Sequence, residues 1–363
     1  MTARADFGGG PRHVFDLMRE IRKQNPHVQI GVASPLDLPF GPEFKEKADF
    51  FFELPIRSIS LKTLLQFLNF CRQIGFDLIH SHGRGAGFYS RPGKILGLPI
   101  VHTFHGFGLN ENTIQVLKSL SDLPLRALTD AFIAVSESEK EVALQWKVAP
   151  EEKIWVIKNG IDLTPYTCEE ISKPYFKEGI TFGFAARFCS QKGVDLMRER
   201  MELLLDENEK VNFVIAGDGE DLEIVESWIR ETPHQERIQF LGKVQEMPAF
   251  YRSIDVLVSF SRMEGLPLAL LEGMASKKIC LFSDIGPHRE VIESKVDGFL
   301  FDLSNPGEFL KMAQEVCERK EEWSFISTRA QEKIQNEFNL ELQVKKTLAL
   351  YQELSETNSN VVD

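Results

Sequence analysis

Short runs of Val, Ile, Leu and Phe alternate with amphipathic stretches along almost the whole of the 363-residue chain. That rhythm is the mark of βα units built around parallel sheets. In the first half the runs predict strands at 28–33, 50–54, 77–80, 100–104, 131–135 and 154–157, with helices between them. Pro11 is placed to open the first helix, because proline at a helix start lacks only a donor the helix does not use. The second half restarts the rhythm, with strands predicted at 180–186, 213–216, 238–241, 256–259, 279–282 and 298–301. Residues 159–177 hold Asn159-Gly160, Pro165 and Pro174 and no sustained period, which reads as a linker. In 339–356 the apolar residues Leu342, Val344, Leu348, Leu350, Tyr351 and Leu354 fall near helical spacing, so a last helix is expected that packs back across the cleft, with a frayed tail after it.

The pattern therefore predicts an α/β protein with two Rossmann-like, doubly wound domains facing across a cleft. The expected divisions are 1–160, a linker at 161–177, 178–340, and a C-terminal helix and tail at 341–363. Single cores stop growing near ~250–300 residues, which also favours two domains. In doubly wound sheets ligands sit outside the carboxyl ends of the strands, so function is expected in strand-to-helix loops.

Charge changes this picture in two ways. The formal net charge is −12, which argues against a nucleic-acid binder with a basic surface. The imbalance is also uneven: residues 1–160 carry 19 basic and 17 acidic side chains, leaving 23 and 37 for the rest. Within the first half, residues 51–100 hold Arg57, Lys62, Arg72, Arg84, Arg91 and Lys94 against Glu53 and Asp77. That excess suits an anionic partner or a membrane surface; solvated cations on helix faces are the commoner explanation of such residues. No apolar run reaches the ~18–20 residues of a membrane helix, and 1–7 lacks the apolar stretch of a signal peptide, so the expected location is cytoplasmic, at the inner face of the membrane where the first domain makes peripheral contact. Cys71, Cys168, Cys189, Cys280 and Cys317 are scattered and odd in number, and read as buried, reduced thiols.

Two stretches carry candidate chemistry. In Phe182-Gly-Phe-Ala-Ala-Arg187-Phe-Cys-Ser-Gln-Lys192-Gly193, two cations follow a buried strand and precede a helix, where free N–H groups and the helix dipole favour an anion. In Ser259-Phe-Ser-Arg-Met-Glu264-Gly265-Leu266-Pro267-Leu-Ala-Leu-Leu-Glu272, one acid lies on a loop and the other inside an apolar helix. Carboxylates so placed suit hydrogen bonds from several hydroxyls, and an unpartnered charge at Glu272 would be costly. His80 and His82 form an H-x-H pair at a strand end that would suit a metal, yet no motif places a third ligand, so no divalent metal is expected.

In these residues the sequence resembles the retaining glycosyltransferases of family 4, which have the GT-B fold. Glu264 and Glu272 match that family's E-x7-E pattern, and Arg187 and Lys192 its paired cations. Gly8-Gly9-Gly10, His80-Ser-His82, His102-Thr-Phe-His105-Gly106, Ser136, Asn159-Gly160-Ile-Asp162, Gly217-Asp218-Gly219 and Glu290 match in order. The resemblance implies transfer of a sugar from a nucleotide-diphosphate sugar to a lipid-linked, polysaccharide or small-molecule hydroxyl acceptor, with retention of configuration and no cofactor. It implies that Arg187 and Lys192 neutralise the diphosphate, that Glu272 accepts the ribose hydroxyls, and that Glu264 and His105 hold the donor sugar. Gly9 and Gly10, and the backbone N–H groups at Gly265 and Leu266, would approach the phosphates and sugar.

The departure from that family lies at the front. A β-strand should precede Gly8, and only residues 1–7, with Arg4 and Asp6, stand there. The expectation is a first domain lacking an inner strand, with neighbouring backbone groups unpaired, through either a coding start set too far downstream or a real loss. A degenerate relative acting as a nucleotide-binding or partner subunit is accordingly the alternative to an active transferase. A metal hydrolase using His80 and His82 stands behind both.

Overall fold

The computed structural model describes residues 1–56, 58–106, 124–167 and 174–359. Cys168 lies outside them. The chain divides into two compact units, the first made of Met1–Gly160 with Leu340–Asp363 and the second of Ile161–Asn339.

The first unit contains β1 (Gly31–Ser34), β2 (Phe50–Glu53), β3 (Ile79–His82), β4 (Ile100–Thr103), β5 (Ala131–Ala134) and β6 (Ile154–Val156). Its described helices in chain order are α1 (Gly9–Gln24), α2 (Phe40–Lys47), α3 (Leu61–Ile74), α4 (Gly83–Ser90) and α5 (Glu137–Gln145). All pairings are parallel, in a two-stranded piece β1-β2 and a four-stranded piece β3-β4-β5-β6. Helix α1 starts at Gly9 rather than at Pro11, which falls in its first turn. The last helix, Leu340–Ser359, buries Val344 and Leu350 and packs with Leu17 and Ile21 of α1.

At the front the backbone differs from the expectation of unpaired neighbours. Thr2 forms a parallel bridge with His82, its N–H donates to the Ala33 carbonyl at 3.0 Å, and the His82 N–H donates to the Met1 carbonyl at 3.0 Å. Met1 and Thr2 thus stand where a strand joining β1 to β3 would run. The extended backbone satisfies those groups whatever its side chains. That single bridge, with these hydrogen bonds, is the backbone link between the β1-β2 and β3-β4-β5-β6 ladders among the described residues.

The second unit is a six-stranded parallel sheet in the order β12-β11-β10-β7-β8-β9. Its strands are β7 (Ile180–Phe188), β8 (Val211–Gly219), β9 (Ile238–Gly242), β10 (Val256–Ser259), β11 (Ile279–Ser283) and β12 (Phe299–Phe301). The helices are α6 (Val194–Glu207), α7 (Leu222–Glu231), α8 (Met247–Arg252), α9 (Leu268–Ala275), α10 (Gly286–Arg289), α11 (Pro306–Glu318) and α12 (Trp323–Glu337). Its core gathers Phe182, Phe184, Phe213, Met197, Leu204, Val258, Leu281 and Phe309, all almost fully buried. Cys71 and Cys280 are buried as expected; Cys189 and Cys317 are only partly so, each lying at the edge of a helix.

Candidate functional site

In the second unit the chain runs outward from β7 through β8 to β9, then returns to the other flank of β7 at β10. That reversal puts the sheet's switch point between β7 and β10, where loops leave neighbouring strand ends and part to open a crevice. Both candidate stretches leave the sheet there. Lys192 closes a short 3₁₀ turn, Ser190–Lys192, before α6, and Glu264 lies in the loop before α9. Arg187 is on β7 itself, opposite Asp218 of β8 and exposed, because the strand runs two residues beyond its expected end.

The two loops are stitched together. The Arg262 N–H donates to the Gln191 carbonyl at 2.9 Å, Gln191 Nε2 donates to the Met263 carbonyl at 3.0 Å, and the Arg262 guanidinium forks onto Asp195 at 2.8 and 2.6 Å. Gly193, at φ +67°, makes the close approach possible: a Cβ there would stand 2.1 Å from the Phe260 carbonyl oxygen. Across this seam Lys192 Nζ donates to Glu264 Oε1 at 2.5 Å, with the carboxylate side chain 9% exposed. Burial, the largest single influence, pushes the Glu264 carboxyl up, but the Lys192 ammonium, His288 and a hydrogen bond from Ser261 together outweigh it and the group stays below its ordinary range.

His288 was not singled out by sequence. It is fully buried, donates from Nδ1 to the Ser283 carbonyl at 2.7 Å, and feels the charges of Glu264 and Lys192. Its Nε2 has no partner among the described residues, and burial pushes its pKa down to about 4. The bond from Nδ1 fixes the tautomer, which leaves Nε2 as a buried acceptor.

Glu272, on α9, is 8% exposed and takes one phenolic hydrogen bond on each oxygen: Tyr166 Oη to Oε1 at 2.7 Å and Tyr251 Oη to Oε2 at 2.8 Å. Burial and the Glu272 charge hold the Tyr251 phenol well above its usual value, so it remains a donor. Neither tyrosine was legible, since each is brought to Glu272 by the fold alone. Gly265 and the buried Leu266 precede α9, with Pro267 at the cap rather than inside the first turn.

The first unit gathers imidazoles. The ring nitrogens of His13, His82 and His105 lie within 4.8 Å of one another, with His82 Nδ1 3.0 Å from His105 Nε2. His13 Nδ1 meets Asn159 Oδ1 at 3.0 Å. His80 shares a strand face with His82, but its ring is engaged by Tyr351 and, at 2.7 Å, by Thr103. The expected His80–His82 pair is thus not the metal-binding set: His13, His82 and His105, without His80, are the residues able to hold a late transition metal. Burial keeps all of them neutral, His13 down to about 4 and His80, His82, His102 and His105 well below their usual value.

His105 sits at φ +63°, a left-handed conformation uncommon outside glycine. Glu139 fixes that turn: it is 3% exposed and accepts from the Gly106 N–H and, at 2.7 Å, from the Val135 N–H. The S-x-x-E spacing of Ser136 and Glu139 is the signal that could have found it, since Ser136 Oγ caps α5 by accepting from the Glu139 N–H at 3.0 Å. Gly9 and Gly10 open α1, and a Cβ at Gly10 would meet nothing within 4 Å, so the helix start has open space before it.

Residues 7–165 match the family described as Glycosyltransferase Family 4, and residues 169–333 the one described as Glycosyl transferases group 1. The chain belongs to glycosyltransferase family 4. It is 27% identical over 323 residues to the Escherichia coli UDP-Gal:alpha-D-GlcNAc-diphosphoundecaprenol alpha-1,3-galactosyltransferase, covering 83% of each chain. Among solved structures, HepE of Anabaena in complex with UDP and glucose superposes with a TM-score of 0.82 at 18% identity over 99% of this chain and 98% of that one. A glycosyltransferase from Rickettsia africae superposes with a TM-score of 0.81 at 20% identity, covering 98% and 97%. These likenesses establish the GT-B fold for this family 4 glycosyltransferase.

Proposed function

We propose that this glycosyltransferase moves a sugar from a nucleotide-diphosphate sugar to a hydroxyl acceptor with retention of configuration, in cell-envelope polysaccharide or glycolipid synthesis. The observation that carries the reading is the Lys192–Glu264 pair at the switch point of the second sheet. Each member of that pair is the partner the other would exchange for substrate: Lys192 for the leaving diphosphate, Glu264 for a hydroxyl of the donor sugar. Arg187 would add charge at the diphosphate, and no divalent metal or other cofactor would be needed. The bond from the anomeric carbon to the diphosphate oxygen breaks with its electron pair going to the diphosphate. The acceptor oxygen bonds to the same face of that carbon, and its proton passes to the leaving phosphate. Cations already in place stabilise the charge that grows there.

Glu272 would take the ribose hydroxyls. A carboxylate offers about four lone-pair sites, so its two phenolic bonds leave capacity for a diol. His105, held neutral on its strained turn, would contact the donor sugar, and the N–H groups at Gly9, Gly10, Gly265 and Leu266 would meet phosphate and sugar oxygens. The relative's printed name, with a UDP-sugar donor and a diphosphoundecaprenol-linked acceptor, supports a UDP-sugar and a lipid-linked acceptor.

Calorimetry separates the two acids. Glu272→Gln should weaken free nucleoside diphosphate and nucleotide-sugar alike, whereas Glu264→Gln should weaken only the nucleotide-sugar. Equal losses for both ligands in both variants would contradict the division of roles.

A further inference from the structure

We infer that His13, His82 and His105 form a binding site for one late transition metal ion of the zinc class. The three come from separate elements of the first unit: His13 from α1, His82 from the end of β3 and His105 from the turn after β4. Their ligand nitrogens lie within 4.8 Å of one another. Zinc–nitrogen bonds of about 2.0–2.1 Å set two nitrogens about 3.3 Å apart in a tetrahedron, and His82 Nδ1 and His105 Nε2 already stand at 3.0 Å. The His13 ring meets that of His105 edge-on, with centroids 4.5 Å apart, so side-chain rotation closes the rest.

The surrounding bonds prepare the lone pairs. His13 Nδ1 donates to the buried Asn159 Oδ1 at 3.0 Å, which leaves Nε2 as its acceptor nitrogen. The buried Gln343 accepts from the Gly160 N–H at 2.7 Å, which turns its Nε2 towards His13 Nε2 at 3.4 Å. An ion would replace that long contact. Between His82 and His105 one ring carries the shared proton, and a shift of that ring to its other tautomer frees both lone pairs without losing a proton. The left-handed backbone at φ +63° aims His105, and the buried Glu139 holds that turn through the Gly106 N–H. Burial keeps all three imidazoles neutral, the form that binds metal.

Ligand type selects the ion. Among the described residues the group is three imidazoles, with no carboxylate or thiol in it. Imidazole suits zinc, nickel and copper, whereas magnesium and calcium take oxygen ligands. His13 and His82 are buried and His105 is partly exposed, so water reaches the remaining coordination position from the His105 side. His80 stays outside the group, its ring engaged by Tyr351 and, at 2.7 Å, by Thr103. An ion on His105 would take the ring that is proposed to contact the donor sugar, so its presence should block transfer. That consequence rests on the transfer reading; binding itself is measured without donor or acceptor.

Calorimetry of the full chain, first stripped with chelator, against zinc chloride in excess magnesium tests it. One equivalent of zinc should bind. His13→Gln, His82→Gln and His105→Gln should each weaken the affinity by about 100-fold, the upper end of what losing an outer partner of a metal ligand costs. His80→Gln should leave it unchanged. Cobalt(II) bound to the wild type needs no variant to fold: it should show the intense visible bands of a four-coordinate site, and added zinc should abolish them. Zinc should also slow transfer, and chelator should restore it. Zinc that binds as described yet leaves transfer unaltered upholds the site and removes His105 from the donor sugar. No zinc binding, binding that the three variants leave unchanged, a loss in His80→Gln as large as theirs, or an octahedral cobalt spectrum would each overturn the proposal.

Discussion

Lys192→Ala is expected to lower kcat by about 10²–10³, the usual cost of removing one preorganised group that stabilises charge growing in the transition state. Binding of the intact nucleotide-sugar should fall less, because the diphosphate carries less charge in the ground state than when it leaves. A second consequence follows from the pair. With the ammonium gone, burial acts on Glu264 against only His288 and the Ser261 hydrogen bond, and its carboxyl should rise from where Lys192 holds it. The pH profile of the variant should therefore lose its acid limb at a higher pH than the wild type. Lys192→Ala, Glu264→Gln, which leaves no buried charge unpaired, controls for stability. Wild-type turnover in the single variant, with an unchanged melt, would remove Lys192 from the chemistry.

The first unit is expected to lose stability in acid before the second. Its buried histidines are held neutral, so their folded-state pKa values lie below the unfolded one. A group so depressed binds its proton in the unfolded chain first, and the stability it confers is complete above pH 6.5 and drains as pH falls towards the folded value. For His13 that window runs from 6.5 to about 4. One such group contributes roughly 3 kcal/mol across it. His80, His82, His102 and His105 act in the same direction in the first unit, and His288 does in the second. Urea unfolding at stepped pH, followed by hydrogen exchange resolved by unit, checks this. His13→Gln should flatten the slope for the first unit, and a first unit equally stable at pH 7 and pH 4 would contradict the neutral-imidazole reading.

Continuous apolar runs placed every strand of both sheets to within a few residues, most plainly β4, β5 and β11, which are buried on both faces. The misplacements have local causes. The ladder of β3 begins at Ile79 and continues through His80, Ser81 and His82, residues whose polarity hid them inside a strand. β7 and β8 extend to Phe188 and Gly219 because their ends pair with each other. At 28–30 the ladder is absent, since Asp49 takes the Ile30 N–H at 2.7 Å and ends the pairing there. The candidate acids and cations were legible through their family spacing. Tyr166 and Tyr251 were not, because each meets Glu272 only across the fold; Glu139 carried a local signal in its S-x-x-E spacing, and His288, bonded to Ser283, stands in no motif.

The central claim, sugar transfer with retention, is tested most directly by proton NMR of the reaction. The enzyme is incubated in chelator with a panel of nucleotide-diphosphate sugars and a polyprenyl-diphosphate-linked sugar acceptor. The account predicts a new glycosidic anomeric signal with the coupling of the donor's own configuration, released together with nucleoside diphosphate. An inverted product, a rate abolished by the chelator, or no transfer by a folded protein that binds nucleoside diphosphate would contradict it.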